Sequence, residues 1–233
     1  MRGPAPLLDH LLRHLPLALS GEDPEGVHQV RVAGRRLGVY LYLLGFRVLR
    51  DDLRLLVRGV GRVRDLEVAL SRPLPGGFGA HLREELRLAR RELEALLRSP
   101  WLEALVRALR VLPPLHRGRA RERLARLEAR LGERFRELSR NPGPEALHAY
   151  RRALRRVRYA KELLGLPAKG EKRLQEVLGA FGDLEVLRHL LLAYLAGKQD
   201  LEAQAFLREV EGEREEAWRR ALRALDLGLT GLP

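Results

Sequence analysis

Two histidines, each followed by arginines at the same offsets, are the residues of this chain best suited to binding chemistry. The first set is His28, Arg31 and Arg35, and the second is His148, Arg151, Arg155 and Arg158. At about 100° per residue, each set follows one face of a helix. Guanidinium groups bind phosphate oxygens through paired hydrogen bonds, and a histidine beside phosphate favours its protonated, donating form. The two stretches therefore predict two cationic helix faces for a phosphate-type anion.

The same two helices carry an apolar stripe opposite their cations. Its members are Val30, Leu37, Leu41 and Leu44 in the first copy, and Tyr150, Leu154, Val157 and Leu164 in the second. A solvated surface would explain either cationic face alone. Like charges one helical turn apart repel each other. Because the same cationic face occurs in both repeated helices, we expect an anion that neutralises it. If the two faces meet, they form a basic groove for a chain of phosphates.

The helices that follow the two basic ones carry further candidates. Asp65 and Asp183 are predicted to orient an arginine across the bundle, although a catalytic or metal-binding role is open to an aspartate there. Arg54, Lys172 and Arg173 lie on the same helices and would extend the basic lining. No residue of the chain is predicted to be catalytic.

A metal site is the competing interpretation of the two histidines. Both follow a glutamate at Glu-x-x-His spacing, from Glu25 and Glu145, and a di-metal bundle would need further glutamates such as Glu67 and Glu185. The neighbouring arginines would place cations beside a cationic metal. The helix dipole already favours a glutamate in a first turn. The favoured expectation is therefore no metal and no other cofactor, with a di-metal helical enzyme as the alternative.

Charge and composition narrow the class of partner. The chain of 233 residues has a formal net charge of +13, and only four of its 44 basic residues are lysines. An arginine-rich, strongly basic protein suits a polyanionic partner. Nucleic acid is the second candidate, but aromatics for base stacking make up only 5% and no helix-turn-helix motif is present. Without cysteines, the chain can have no disulfides or thiolate metal sites.

The elements that must position these residues are helices. Proline and glycine divide the chain into segments with helical periodicity, and no segment alternates as a strand would. The predicted helices span residues 5–19, 24–48, 51–71, 79–98, 101–111, 119–139, 144–165, 170–196 and 199–226. Residues 61–68 resemble 179–186, so a second motif recurs at nearly the offset of the histidine motif. This predicts an all-α single domain over 1–233, with two repeat halves near 1–116 and 117–233.

The N-terminal stretch resembles a signal peptide in its apolar content, but Asp9, His10 and Arg13 interrupt it. No apolar run approaches the ~18 residues that a membrane span requires. We therefore expect a cytoplasmic protein with no membrane partner. Its oligomeric state is open.

With these motifs in hand, the sequence resembles the CHAD domain, an α-helical family named for its histidines. The resemblance covers nearly the whole chain and depends on four stretches in the family's order. They are His28 to Arg36, Arg64 to Val68, His148 to Glu162 and Leu178 to Val186.

The resemblance implies two pseudo-symmetric antiparallel bundles of four-helix type, with a basic central cavity that binds inorganic polyphosphate. Carried over by position, the ligand-facing residues are His28, Arg31, Arg35, Arg36, His148, Arg151, Arg155 and Arg158. Tyr159 and Glu162 match the family pattern as supporting residues. Gly38 stands where the second copy has Arg158, which predicts a shorter first stripe and an asymmetric site.

The triphosphatase domain often joined to this family is not visible in the sequence. The expectation is therefore a stand-alone, non-enzymatic member. Association with polyphosphate granules is a partner that the resemblance allows.

Overall fold

The computed structural model describes residues 3–226, which form helices joined by turns and contain no strand. The all-α prediction is confirmed for this part of the chain. The helices are α1 (Ala5–Ser20), α2 (Pro24–Leu44), α3 (Arg50–Leu70), α4 (Gly76–Leu97), α5 (Pro100–Arg110), α6 (Arg117–Arg140), α7 (Pro144–Leu163), α8 (Lys169–Leu195) and α9 (Leu201–Ala224).

The two repeated helices begin where the sequence predicts and end earlier. The carboxylate of Asp23 accepts a hydrogen bond of 2.7 Å from the backbone N–H of Glu25, which caps α2. The predicted extension of α2 to residue 48 is wrong. Gly45 adopts φ 86°, and its N–H bonds to the carbonyls of Leu41 and Tyr42, which ends the helix in a left-handed cap. The counterpart α7 follows an extended Gly143 and has no side-chain cap.

The described chain divides into two compact units that do not follow the sequence in order. The first unit contains the residues up to Val68 together with 82–124, and the second contains 69–81 together with the residues from Ala125 onward. The first unit therefore contains α2 and most of α3, while the second contains α7 and α8. The single-domain prediction and the predicted boundary near 116 stay predictions.

In the first unit, α2 and α3 pack closely because of small residues on α2. A Cβ at Gly34 would lie 2.9 Å from a methyl of Val57, so only glycine permits this approach without rearrangement. Val30, Leu37 and Leu41 of the predicted apolar stripe are fully buried, with 0% exposure. Burial of this stripe leaves the histidine and arginine face of α2 turned away from the core.

The second unit repeats this plan with α7 and α8, and it also buries the start of α4. Leu154 and Val157 of α7 are buried at 2% and 1% exposure. The ring centroid of Phe78 lies 5.3 Å from that of Tyr194 on α8, and the Tyr194 hydroxyl donates to Asp200 at 2.8 Å. Asp200 in turn accepts from the backbone N–H of Ala203 and caps α9.

Among the described residues, no helix is both long enough and apolar enough to cross a membrane.

Candidate anion-binding surfaces

The first basic surface consists of His28, Arg31 and Arg35 on α2. Its central arginine is held by the neighbouring helix: Nη1 of Arg31 donates to Oδ1 of Asp65 at 2.8 Å. The same guanidinium lies over Gly61, where an added Cβ would meet it at an ordinary 3.7 Å. The pair is partly solvated, with 21% of the Arg31 side chain and 38% of the Asp65 side chain exposed. Asp65 therefore orients Arg31 and leaves part of its side chain exposed.

A third cation, Arg64 of α3, belongs to the same surface and was not among the predicted binding residues. Burial lowers the pKa of His28, and the charge of Arg64 is the strongest electrostatic cause of the same shift, ahead of Arg31. Arg64 also lies 3.9 Å from the carboxylate of Glu67. Arg64 is part of the sequence motif that runs from Arg64 to Val68. Its direction depends on how α3 packs on α2, which the motif alone does not give.

The second basic surface consists of His148, Arg151, Arg155 and Arg158 on α7. Here Arg151 lies against the backbone of α8, because the Nη1 atom would be 1.5 Å from a Cβ added at Gly182. Its Nη2 donates a long hydrogen bond of 3.4 Å to the carbonyl of Gly179. Burial lowers the pKa of Arg151, and the charge of Asp183 opposes that shift. Gly182 thus provides the space that Arg151 occupies.

His148 has a lowered pKa as well, with partial burial as the first cause and the charges of Arg152, Arg151 and Arg155 after it. The residue is exposed to solvent, and the neighbouring arginine charges lower its pKa because they disfavour the imidazolium form. Arg152 was not predicted to belong to this surface. It lies one helical turn from His148, where the first copy has Val32, so the comparison of the repeats concealed it.

Arg158 is engaged by its own unit. Its Nε donates to Glu162 at 2.8 Å and its Nη1 to Gln175 at 3.2 Å. The guanidinium lies 5.5 Å from the ring centroid of Tyr159. Glu162, Gln175 and Tyr159 therefore hold Arg158, and a ligand has to compete with Glu162 for its charge.

The remaining predicted residues lie on exposed or half-buried parts of the two units. Arg54 pairs with Asp51 at 2.5 Å, Lys172 lies 3.9 Å from Glu176, and Arg173 is exposed. Arg35, Arg36 and Arg155 are half-buried.

Three of the four glutamates of the metal interpretation are engaged by other side chains. Glu25 accepts a hydrogen bond from Gln29, Glu67 accepts one of 2.9 Å from Arg90, and Glu185 accepts one from Arg214. Burial raises the pKa of Glu67, although Arg90 and Arg64 oppose the shift. Across residues 3–226, no cluster of three or more histidine and carboxylate side chains is arranged to hold a metal ion.

Two solved structures share the fold over almost the whole chain. The CHAD domain from the plant Ricinus communis superposes with a TM-score of 0.78 at 24% identity, covering 98% of this chain and 90% of its own. PptA from Streptomyces chartreusis superposes with a TM-score of 0.73 at 18% identity, covering 96% of both chains. At these identities the likeness establishes the fold.

No curated protein matches the chain. The family model described as the CHAD domain matches residues 5–172, which include both repeated histidine motifs. Since that match covers well over half of the sequence and agrees with the fold of the two solved structures, this chain belongs to the CHAD domain family.

Proposed function

We propose that the protein binds inorganic polyphosphate through the two basic surfaces and catalyses no reaction on it. The observation that carries the proposal is the repetition of one cationic arrangement in both units. In each, a histidine and an arginine three residues later lie on a helix whose opposite stripe is buried. Family membership supports the same ligand, because polyphosphate binding is what the family resemblance implies.

The chemistry of the surfaces favours a phosphate polymer over a nucleic acid. Two N–H groups of one arginine can bind two oxygens of a phosphate, and this contact does not involve a nucleic-acid base. Binding of single-stranded nucleic acid commonly adds aromatic platforms on which bases stack. The aromatic residues of α7 are Tyr150 and Tyr159, and both are buried at 6% and 4% exposure. The second basic surface therefore offers charge without stacking.

A competition titration tests the ligand. Fluorescently labelled polyphosphate would be bound to the full chain and displaced by unlabelled polyphosphate, DNA or RNA at equal phosphate concentration, over a series of salt concentrations. We expect polyphosphate to compete best and the affinity to fall steeply with salt, because binding releases counterions. Equal or better competition by DNA would instead favour a nucleic-acid-binding protein.

A matched pair of double variants tests the surfaces. Arg35→Ala with Arg155→Ala removes one arginine from each basic surface. Arg83→Ala with Arg126→Ala removes the same charge from exposed positions on α4 and α6. We expect the first pair to weaken binding about tenfold or more, as the loss of charge-assisted hydrogen bonds implies, and the control pair to cause a much smaller, salt-sensitive loss. Equal losses would show that binding depends on net charge alone.

Association with polyphosphate granules in the cytoplasm is the cellular role that follows from this ligand. A fluorescent fusion of the full chain should gather at granules and lose that pattern with the Arg35→Ala, Arg155→Ala variant. Retention of the pattern in that variant would separate recruitment from polyphosphate binding.

A further inference from the structure

We propose that the first basic surface holds a single phosphoryl group between two helices, with Arg64 of α3 opposite His28 of α2. This surface is then the one that sets the affinity for short oligophosphates, while the second basic surface contacts a phosphate chain along one helix. The inference rests on the proposed function and assigns the ligand contacts within it.

The register of α2 on α3 places Arg64 opposite His28. Gly34 of α2 faces Val57 of α3. One helical turn earlier on α2, Arg31 faces Gly61, which lies one turn later on α3. Arg31 also donates to Asp65, a further turn along α3. The helices run antiparallel, so a further step of about one turn sets His28 against Arg64. The effect of the Arg64 charge on the His28 pKa agrees with this register.

The second unit has the same register without the second cation. Arg151 contacts Gly179, so one turn earlier His148 lies opposite Gly182. Gly182 has no side chain, and the Arg151 guanidinium covers it. The charged residues around His148 on the basic face are Arg151, Arg152 and Arg155, all of α7. The carboxylates on the α8 side are Asp183 and Glu185.

A phosphoryl group has oxygens pointing in several directions, so donors on two helices satisfy it better than donors on one. Glu67 approaches Arg64 at 3.9 Å, which is longer than a hydrogen bond. The same carboxylate is hydrogen-bonded by Arg90 and is only 6% exposed. Arg64 is therefore positioned by Glu67 while its donors stay available to a ligand.

Calorimetric titration with tripolyphosphate tests this assignment, with long-chain polyphosphate as the reference ligand. Arg64→Ala should weaken tripolyphosphate binding about tenfold, the effect of losing a hydrogen bond to a charged group. Arg152→Ala removes the same charge beside the other histidine, and Arg62→Ala removes it from α3, where Arg62 pairs with Glu85 and Glu92. Both controls should lose about threefold or less.

The outcomes separate this inference from the proposed function. If long-chain polyphosphate does not bind the unaltered protein, the proposed function fails. If it binds but tripolyphosphate does not, or if Arg64→Ala loses no more than Arg152→Ala, the two-helix site is overturned and the proposed function stands. Thermal unfolding of each variant checks the fold. If Arg64→Ala does not fold, Arg64→Gln keeps the side-chain length without the charge and gives the same comparison.

Discussion

The arginine three residues after each histidine meets a different environment in the two units. In the first, Arg31 reaches across to Asp65 and Arg64 fills the position opposite the histidine. In the second, that position is Gly182, and Arg151 lies over it against the backbone of α8. One exchange of arginine for glycine thus changes which helix supplies the cation.

The difference shows how a duplicated motif can keep its residue types and change its use. The repeated histidine and arginines read alike in the sequence. The residues that face them on the next helix, α3 or α8, differ between the two copies. These facing residues decide whether a guanidinium extends along the surface or lies against the backbone. A substitution at one member of such a pair, compared with the same substitution at its counterpart, therefore measures what the partner contributes.

The largest expected difference is in stability, between the glutamates of α3 and α8. Glu67 is 6% exposed and lies near both Arg90 and Arg64, while Glu185 is 19% exposed and pairs with Arg214. Glu67→Ala should lower the free energy of unfolding by about 2 kcal/mol, because it leaves partly buried arginines without their carboxylate.

The matching Glu185→Ala variant should cost less, since its carboxylate is more solvated. Urea unfolding of both variants, with exposed Glu92→Ala as a control, measures the difference. Equal losses at the two glutamates would show that the units tolerate this change alike.

The pH dependence of binding is the next largest effect. The pKa of His28 and that of His148 lie below the ordinary 6.5 in the free protein. A bound polyanion stabilises the imidazolium form and raises both values, so binding takes up protons and the affinity rises as the pH falls from about 7.5 to 5.5. Each histidine can contribute up to about tenfold per pH unit.

His28→Asn should remove more of this slope than His148→Asn, because His28 is half-buried and faces cations on two helices. Titrations at several pH values measure both slopes. Without ligand, the two histidines make the free energy of unfolding depend on pH in the opposite direction. At these residues the folded protein binds fewer protons than the unfolded chain, so their contribution to stability falls as the pH drops through 6.5 and below. An affinity that does not change with pH would remove the histidines from the site.

A smaller difference in stability is expected between alanine substitutions at two glycines, Gly61 and Gly182. Gly61→Ala places a methyl at an ordinary 3.7 Å from Arg31 and should stabilise the first unit by up to about 1 kcal/mol through helix propensity. Gly182→Ala meets Arg151 at 1.5 Å, so the guanidinium must move and give up its contact with Gly179. That loss should cancel the gain, and urea unfolding would show it. Equal stabilisation would mean that Arg151 moves at no cost.

The smallest expected effect is on polyphosphate affinity, at the position where the first copy has Gly38 and the second has Arg158. Gly38 has no neighbour within 4 Å of an added Cβ, so Gly38→Arg would place a new cation in open space. It should raise polyphosphate affinity about threefold. Arg158→Gln should lower affinity by less, because Arg158 already donates to Glu162. The titration used for the other variants measures both changes, and a larger loss at Arg158 would mean that the ligand displaces Glu162.

Helix positions and the apolar stripes followed from the sequence because they depend on local periodicity. Val30, Leu37 and Leu154 are buried as the 3.6-residue repeat predicts. The end of α2 was missed because Phe46, Val48 and Leu49 continue the apolar pattern after Gly45, whereas the left-handed backbone at Gly45 stops the helix.

The partners across helices could not be predicted in the same way. The placement of Arg64 depends on the register between α2 and α3, and the space over Gly182 depends on where Arg151 lies. Neither leaves a local pattern, because each is fixed by packing between residues about 30 positions apart. Arg152 was on the correct helix face but had no counterpart in the first copy, so a method based on the repeat passed over it.

The early position of residues 69–81 in the sequence has a consequence for synthesis. Phe78 is fully buried against Tyr194, more than one hundred residues later in the chain. As the protein leaves the ribosome, the first unit has all its segments once residue 124 has emerged, while Phe78 must wait for α8. A chain truncated before α8 would therefore lack the Tyr194 ring against which Phe78 packs and would leave this apolar side chain exposed.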